Sequence, residues 1–431
     1  MKIQNSSAVS SFGGLNFVLN ELTNLGINKL LEKELPRLPV QSKYSWTDIF
    51  YSYWAIPFCG GDCAEDISLN LKHVFKKNPY AKPPSPDRLL NRLKELSVPK
   101  VYLKKNRSVV FNEFSINKML NELNVKLLKK LPGFNTKGNV LDYDNTFVFT
   151  NKSDAKLTFT RGKGYCPGVG TIGNNIVYVE NRNGNCPANS LQDETIERMF
   201  QTLDSHNIGV DVFRADSASY QFFTITTINK HVNRFYIRAR TSEAMLGAIS
   251  SIKDWTEIEA NGNKMFRGST KYIPFKEAAR KSKQKELLKE YRLVVTKEQN
   301  KDGQINLFTG EACTYSVIMT NDFEKTDDQV VFFYNQRGKQ EREFDILKND
   351  FAWNKLPFSK LEQNTVFFIL MAMCRNIYNY IIYEFSKRFK FLSSNFRIKK
   401  FIFRFICIPG KWIKSGRIYK LRLYGYVAFK T

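Results

Sequence analysis

Histidine is nearly absent: His73, His206 and His231 are the only three in a chain of 431 residues. A Ser-His-Asp or Cys-His mechanism would have to draw on them, and none stands in a nucleophile context. Cysteine is sparse, with seven residues scattered from Cys59 to Cys407. An odd, dispersed set argues against a disulfide framework and for a reducing compartment, the cytoplasm. The one close pair, Cys59 and Cys63, has no second pair or histidine cluster to complete a zinc site. Long apolar runs are missing too. The longest, VFFILMAMC from Val366 to Cys374, is nine residues and is closed by Arg375. A membrane span takes about twenty residues, so this segment is predicted to be a buried helix. The start, MKIQNSSAVSSFGG, lacks the basic and apolar regions of a secretory signal.

Acid is the other shortage. There are 41 Asp and Glu against 66 Lys and Arg, a net charge of +25. A surplus that large implies a polyanionic partner, and without a membrane span nucleic acid is the expected one. The shortage is sharpest in 386–431, which holds 13 Lys and Arg and no Asp or Glu. There the basic residues alternate with Phe, Trp and Tyr, which predicts phosphate contact and base stacking.

Apolar residues make up 42% of the chain, including 35 Phe and 20 Tyr, enough to build a core of more than one domain. Residues 1–125 read as a helical DNA-binding domain. LNFVLNELTNLGINKLLEKEL and SPDRLLNRLKELSV space their apolar residues by three and four, and Ser85-Pro86 is a helix start. Basic residues from Lys76 to Lys105 crowd this part. The pattern then changes. NVLDYDNTFVFT (Asn139–Thr150), Ala155–Gly164 and Val169–Glu180 read as strands. Ser190–Leu203 reads as a helix, Gly209–Ala215 as a strand, Tyr220–His231 as a helix and Arg234–Arg240 as a strand. The order β-β-β-α-β-α-β predicts an α/β fold with a ribonuclease-H-like mixed sheet. This core opens over 126–240. A β-rich insertion is predicted over 241–329, closing helices over 330–385, and a basic DNA-contacting tail over 386–431.

Carboxylates must then do any chemistry. Asp142 and Asp144 lie two apart in a strand and share one face of it. Asp216 ends the strand expected to pair beside them. In YNQRGKQEREFDILK, a helix begun at Tyr334 would bring Arg337, Glu341 and Lys348 within about 60° of it, with Asp345 nearby and Glu343 opposite at about 180°. Glu343 is therefore expected to tolerate substitution. Acids from strand, strand end and helix make a hard-oxygen site suited to Mg²⁺, and two such ions can steer phosphoryl displacement. Arg337, Lys348 and Tyr334 would hold phosphates of the cut strand.

The spacing Tyr334-x2-Arg337-x3-Glu341-x6-Lys348 resembles the Y-R-E-K signature of DDE transposases from cut-and-paste bacterial insertion sequences. LDYDNT, KGYCPGVGTIGNNIVYVENRNGN, FRADSASYQ and the tail KFIFRFICIPGKWIKSGRIYKLRL resemble the 1380 family of these elements more closely. The resemblance implies Asp144, Asp216 and Glu341 as catalytic metal ligands, with Asp142 the alternative to Asp144. It implies two Mg²⁺ ions, replaceable by Mn²⁺. It implies double-stranded DNA as partner, at terminal inverted repeats and target, with a homodimer joining two ends near the bacterial nucleoid. Trp255, in the insertion, would hold a flipped base. Cys166 stands before Pro167 where the family has His. The alternatives are a catalytically inactive DNA-binding relic and a stand-alone nuclease on the same core.

Overall fold

The computed structural model describes residues 9–104, 111–260, 263–299, 305 and 311–425. Lys105, residues 261–262, 300–304 and 306–310 of the predicted insertion, and the tail end 426–431 lie outside the described residues. The helices are α1 (Leu15–Asn24), α2 (Ile27–Glu34), α3 (Trp46–Phe58), α4 (Asp66–Leu69), α5 (Pro86–Lys94), α6 (Lys118–Lys130), α7 (Gln192–Asp204), α8 (Phe222–His231), α9 (Glu243–Ser250), α10 (Lys276–Ser282), α11 (Asp327–Asn335), α12 (Lys339–Asp350), α13 (Leu361–Arg388) and α14 (Ile398–Phe401). The strands are β1 (Val101–Lys104), β2 (Phe111–Ser115), β3 (Asn139–Asn145), β4 (Val148–Phe149), β5 (Lys156–Leu157), β6 (Lys163–Tyr165), β7 (Gly168–Ile172), β8 (Asn175–Arg182), β9 (Val210–Ala215), β10 (Arg234–Arg238), β11 (Thr256–Ala260), β12 (Asn263–Tyr272), β13 (Tyr291–Gln299), β14 (Cys313–Thr320), β15 (Gly410–Ser415) and β16 (Ile418–Leu423).

One mixed sheet organises the molecule, in the order β1-β2-β8-β7-β3-β9-β10-β14-β13-β12-β11. At its centre β3 runs parallel to β9 and β9 to β10, while β7 is antiparallel to both β3 and β8. The predicted β-rich insertion is present, but it extends this sheet: β14 pairs with β10 and the strands back to β11 follow as an antiparallel ribbon. Two further departures concern the strands. VYLK and FNEFS, inside the part predicted to be helical, form the hairpin β1–β2. Ala155–Gly164 joins no strand of the large sheet. It contributes to the separate small sheet β4-β6-β5, leaving β7 and β8 to complete the meander.

Helix α13 is the apolar run predicted to be buried. It is long and apolar enough to cross a membrane, yet 94% of its most apolar window is buried inside the protein. With α6 it lies along β8, whose first residues have no strand beyond them because β2 pairs only with Asn181 and Arg182. Unpaired backbone there would be costly in a dry interior. Side-chain amides supply the missing ladder. Asn376 accepts from the Ile176 N–H (2.8 Å) and donates to its carbonyl (2.8 Å), and Asn121 does the same for Val179 (2.9 and 2.9 Å). The N-terminal helices share this core: the Trp54 indole donates to the Leu370 carbonyl of α13 at 3.0 Å.

The tail departs most from its sequence reading. Phe389, Ile398, Phe401, Phe405 and Ile406 are buried. Phe401 and Phe405 stack at 5.1 Å, and Phe405 packs on Phe385 at the same distance. Gly14 touches this strip so closely that a Cβ there would lie 2.0 Å from the Phe405 carbonyl. Those rings are core, not platforms for bases. Phe403, at 73% exposed, Lys399, Lys400 and Arg404 face solvent, as does the hairpin β15–β16 with Lys414, Arg417, Lys420 and Arg422 outward. Losing a buried Phe costs about 3–5 kcal/mol, and total stability is about 5–15 kcal/mol. Deleting 387–431 is therefore expected to abolish the cooperative thermal transition seen by circular dichroism. A truncated protein that still melts cooperatively would show the tail to be peripheral.

Candidate active site

Parallel register places the two aspartates. Tyr143 of β3 pairs with Ala215 of β9, so Asp144 and Asp216 lie one residue beyond the last paired row, on neighbouring strands about 4.8 Å apart. Asp144 accepts a hydrogen bond from the Asn145 backbone N–H at 2.8 Å. Asp216 accepts from the Ala218 N–H at 3.0 Å and so caps the short turn Ser217–Ser219. Burial pushes the Asp144 carboxyl up to about 6, with the Arg337 guanidinium opposing that rise and the Asp216 charge adding to it.

Asp142 is not interchangeable with Asp144. It forms a two-pronged ion pair with Arg214, 2.7 Å on each arm. Arg214 also donates to the Phe333 carbonyl at 2.6 Å and lies over the Phe333 ring. It thus ties β3, β9 and the end of α11 together. The spacing in LDYD gave no sign of this, because the partner sits one strand away.

The predicted continuous helix from Tyr334 to Lys348 is broken. Tyr334 lies in the last turn of α11, Gln336–Gly338 form a 3₁₀ turn, and α12 begins at Lys339. Gly338 weakens the helix there, and the tighter turn rotates α12 relative to α11. The 100° bookkeeping therefore does not carry across, although Tyr334 and Arg337 still reach the aspartates. Tyr334 is buried and donates to the Ala215 carbonyl at 3.3 Å. Arg337 sets Nη2 2.7 Å from Asp144 Oδ2. That contact lacks hydrogen-bond alignment, and the buried Nε and Nη2 have no hydrogen-bond partner. Glu341 is exposed on the first turn of α12. Its neighbour Gln340 donates to the Val169 carbonyl at 3.3 Å, and Val169 is the β7 partner of Asp144. Lys348 is half-buried, which lowers its pKa, and it lies within electrostatic reach of the Cys166 thiol. Burial pushes that thiol up to about 12.

Three other residues of the sequence reading lie elsewhere or are otherwise engaged. Asp345 is bound to Arg397 (2.8 Å) and Asn349 (2.6 Å). Glu343, expected to face solvent, is buried and paired with Arg375 of α13 at 2.8 and 3.0 Å. Trp255 packs beside β12 with its indole N–H given to the Ile252 carbonyl (3.0 Å) and Lys297 over its ring (4.8 Å). Five strand steps separate β12 from β3, about 24 Å, so Trp255 does not meet the aspartates. Among the described residues the one group of three metal-type ligands with donor atoms within 4.8 Å is Asp62, Cys63 and Asp66. Asp66 there accepts from the Asp62 and Cys63 N–H groups and from Asn70, as a turn cap. Asp144 and Asp216 are neighbours, and together with Glu341 they do not form a closed group of ligands.

Paired acids at a sheet end, faced by a guanidinium ion-paired with one of them, suit an enzyme that transfers phosphate esters. Residues 4–431 match the family described as Transposase DDE domain group 1, and the chain belongs to that family: it is a DNA transposase, a DDE-type polynucleotidyl transferase. No curated protein matches the chain. Among solved structures, the cryo-EM structure of the piggyBac transposase synaptic complex with hairpin DNA is similar, with a TM-score of 0.43 and 10% identity over 91% of this chain and 78% of that one.

Proposed function

We propose that this transposase cuts and rejoins DNA at the ends of a bacterial insertion sequence, with Asp144, Asp216 and Glu341 as the acids that hold divalent cations. The carrying observation is the placement of Asp144 beside Asp216, where each charge disfavours the other and a cation would relieve both. The donor set fits: all are carboxylate oxygens, as Mg²⁺ or Mn²⁺ prefers. When bound, such ions lower the pKa of water and neutralise charge gathering on the phosphate. The strand order β8-β7-β3-β9-β10, with only β7 reversed, supports a ribonuclease-H-like core.

The chain's own groups have separate tasks. Arg337, ion-paired with Asp144 and with its buried Nε free of a hydrogen-bond partner, grips a phosphate oxygen of the cut strand, and Lys348 holds a neighbouring one. Tyr334 fixes the end of α11 against β9 and turns Arg337 toward the acids. Asp142 and Arg214 brace β3 and β9 so that both aspartates keep their spacing. Two copies synapse two inverted repeats, and the same acids serve cleavage and joining in the cytoplasm, on nucleoid DNA. A stand-alone nuclease would need neither synapsis nor a joining step.

The test is nicking of an element-end duplex in Mg²⁺, Mn²⁺, Ca²⁺ or chelator. Cleavage is expected in the first two only, and full cleavage in chelator would sink the reading. Protons compete for Asp144, so apparent Mg²⁺ affinity should fall as pH drops below about 6, by up to about tenfold per unit. The sign for stability is opposite. A carboxyl raised to about 6 favours the metal-free fold when protonated. Its contribution, up to about 3 kcal/mol, is fully present below about pH 3.9 and lost as pH rises through about 6. Denaturant midpoints in chelator at pH 5 and pH 7.5 check this.

A further inference from the structure

Between β3 and β7 the chain makes no direct turn. Residues 146–167 leave the large sheet at the end that carries Asp144 and build the sheet β4-β6-β5. Its outer side shows Phe149, Leu157 and Phe159, which are 55%, 58% and 78% exposed. Phe147 stacks on Phe149 at 6.0 Å and meets Phe159 edge-on at 5.2 Å. The Phe149 ring lies on Gly162, where a Cβ would come within 2.6 Å of it. The loop bearing Phe159 is closed by Thr158 N–H to the Gly162 carbonyl (2.8 Å) and Arg161 N–H to the Thr158 carbonyl (3.0 Å).

This flap is anchored. Asp154 accepts from the Tyr165 hydroxyl (2.5 Å) and from the Leu361 N–H (2.7 Å), and Lys156 pairs with Glu113 at 2.6 Å. Around the rings, Arg161 and Lys163 are exposed and have no ion-pair partner among the described residues. A rigid cluster of large apolar side chains left in water marks a contact surface. Its cationic rim calls for an anionic partner. Phe147 is three residues from Asp144, at most about 10 Å of extended chain.

We propose that this aromatic flap stacks an unpaired base of the DNA strand whose phosphate lies at Asp144, with Arg161 and Lys163 on the adjoining phosphates. The proposal rests on the assignment of Asp144 to the catalytic acids. A base presents a flat face that any aromatic ring can take, and its strand supplies the charge the rim matches. Holding one base outside the duplex would offset the cost of opening the helix beside the scissile bond.

The test compares wild type with Phe149→Ala, Phe159→Ala and the double variant on two substrates. One is a fully paired element-end duplex. The other is the same duplex with mismatched bases flanking the scissile phosphate. The double variant is expected to cleave the paired duplex about ten- to a hundred-fold more slowly and the mismatched one within about threefold of wild type. Phe149→Trp should keep activity on both. Equal loss on both substrates, or loss on neither, overturns the proposal, and unchanged thermal melts exclude misfolding. If wild type cleaves neither substrate, the catalytic assignment fails and stacking is judged by binding alone. The probe is then a homopolymeric thymidine oligonucleotide carrying one 2-aminopurine. The double variant should bind it about tenfold more weakly with an unchanged salt slope, while Lys163→Ala should flatten the slope. Equal affinities would overturn the proposal, and would leave a protein partner as the occupant of the flap.

Discussion

Glu341→Ala is expected to abolish strand cleavage while leaving the fold and end binding intact. The side chain is exposed, and no hydrogen bond or ion pair ties it to other described residues. Its loss therefore removes little native-state energy: the favourable placement of an acid on a first helical turn, about 0.3–1 kcal/mol. Removing a negative charge beside DNA cannot weaken electrostatic attraction. What goes is the carboxylate proposed to hold a cation against the reacting phosphate. Charge stabilisation of that kind is worth several kcal/mol, so the single-turnover rate should fall by about three orders of magnitude. Gel shift, nicking and thermal melting on one preparation separate the three effects. Substantial residual cleavage by Glu341→Ala would mean that another acid completes the site. Asp345 is poorly placed for that, since Arg397 and Asn349 already occupy it.

How much of this was legible without coordinates depended on whether a signal was local. The strands β3, β9 and β10 and the helix α8 were readable because alternation and apolar spacing are properties of short windows. The convergence of Asp144, Asp216, Tyr334 and Arg337 followed from strand order plus one short motif. Partners far apart in sequence were not legible. Arg214 against Asp142, Asn376 against β8 and Arg375 against Glu343 are contacts across strands and helices, and each is an ordinary polar residue in its own window. The tail misled for a related reason. Basic and aromatic residues in alternation look the same whether the rings stack on bases or on Phe385 and Phe17. Only the fold shows that Phe389, Phe401 and Phe405 turn inward while the lysines turn out. The flap shows the opposite error, since its segments read as strands of the main sheet, yet Phe149, Leu157 and Phe159 lie exposed.

Glu343→Ala draws the sharpest line between the helical-wheel reading and the fold. On an uninterrupted helix Glu343 points away from Tyr334 and its loss would be neutral. In the structure its carboxylate is buried against Arg375, whose side chain is 7% exposed. Removing the acid strands a guanidinium that keeps only its hydrogen bond to Asn379. Breaking a buried pair in this way costs about 3–5 kcal/mol, a large share of the stability of any domain. The contact also docks α12, which carries Glu341 and Lys348, onto α13. The variant is therefore expected to lose thermal stability and cleavage together, unlike Glu341→Ala. Replacing both partners, as in Glu343→Met with Arg375→Met, removes the stranded charge and should recover most of the stability, because apolar pairs of similar size replace buried ion pairs at little cost. Denaturant unfolding of the two single variants and the double variant supplies the full cycle. If Glu343→Ala unfolds within about 0.5 kcal/mol of wild type, the pair does not hold α12 in place. Gln340 on the Val169 carbonyl would then be left as a contact that sets α12 against the sheet.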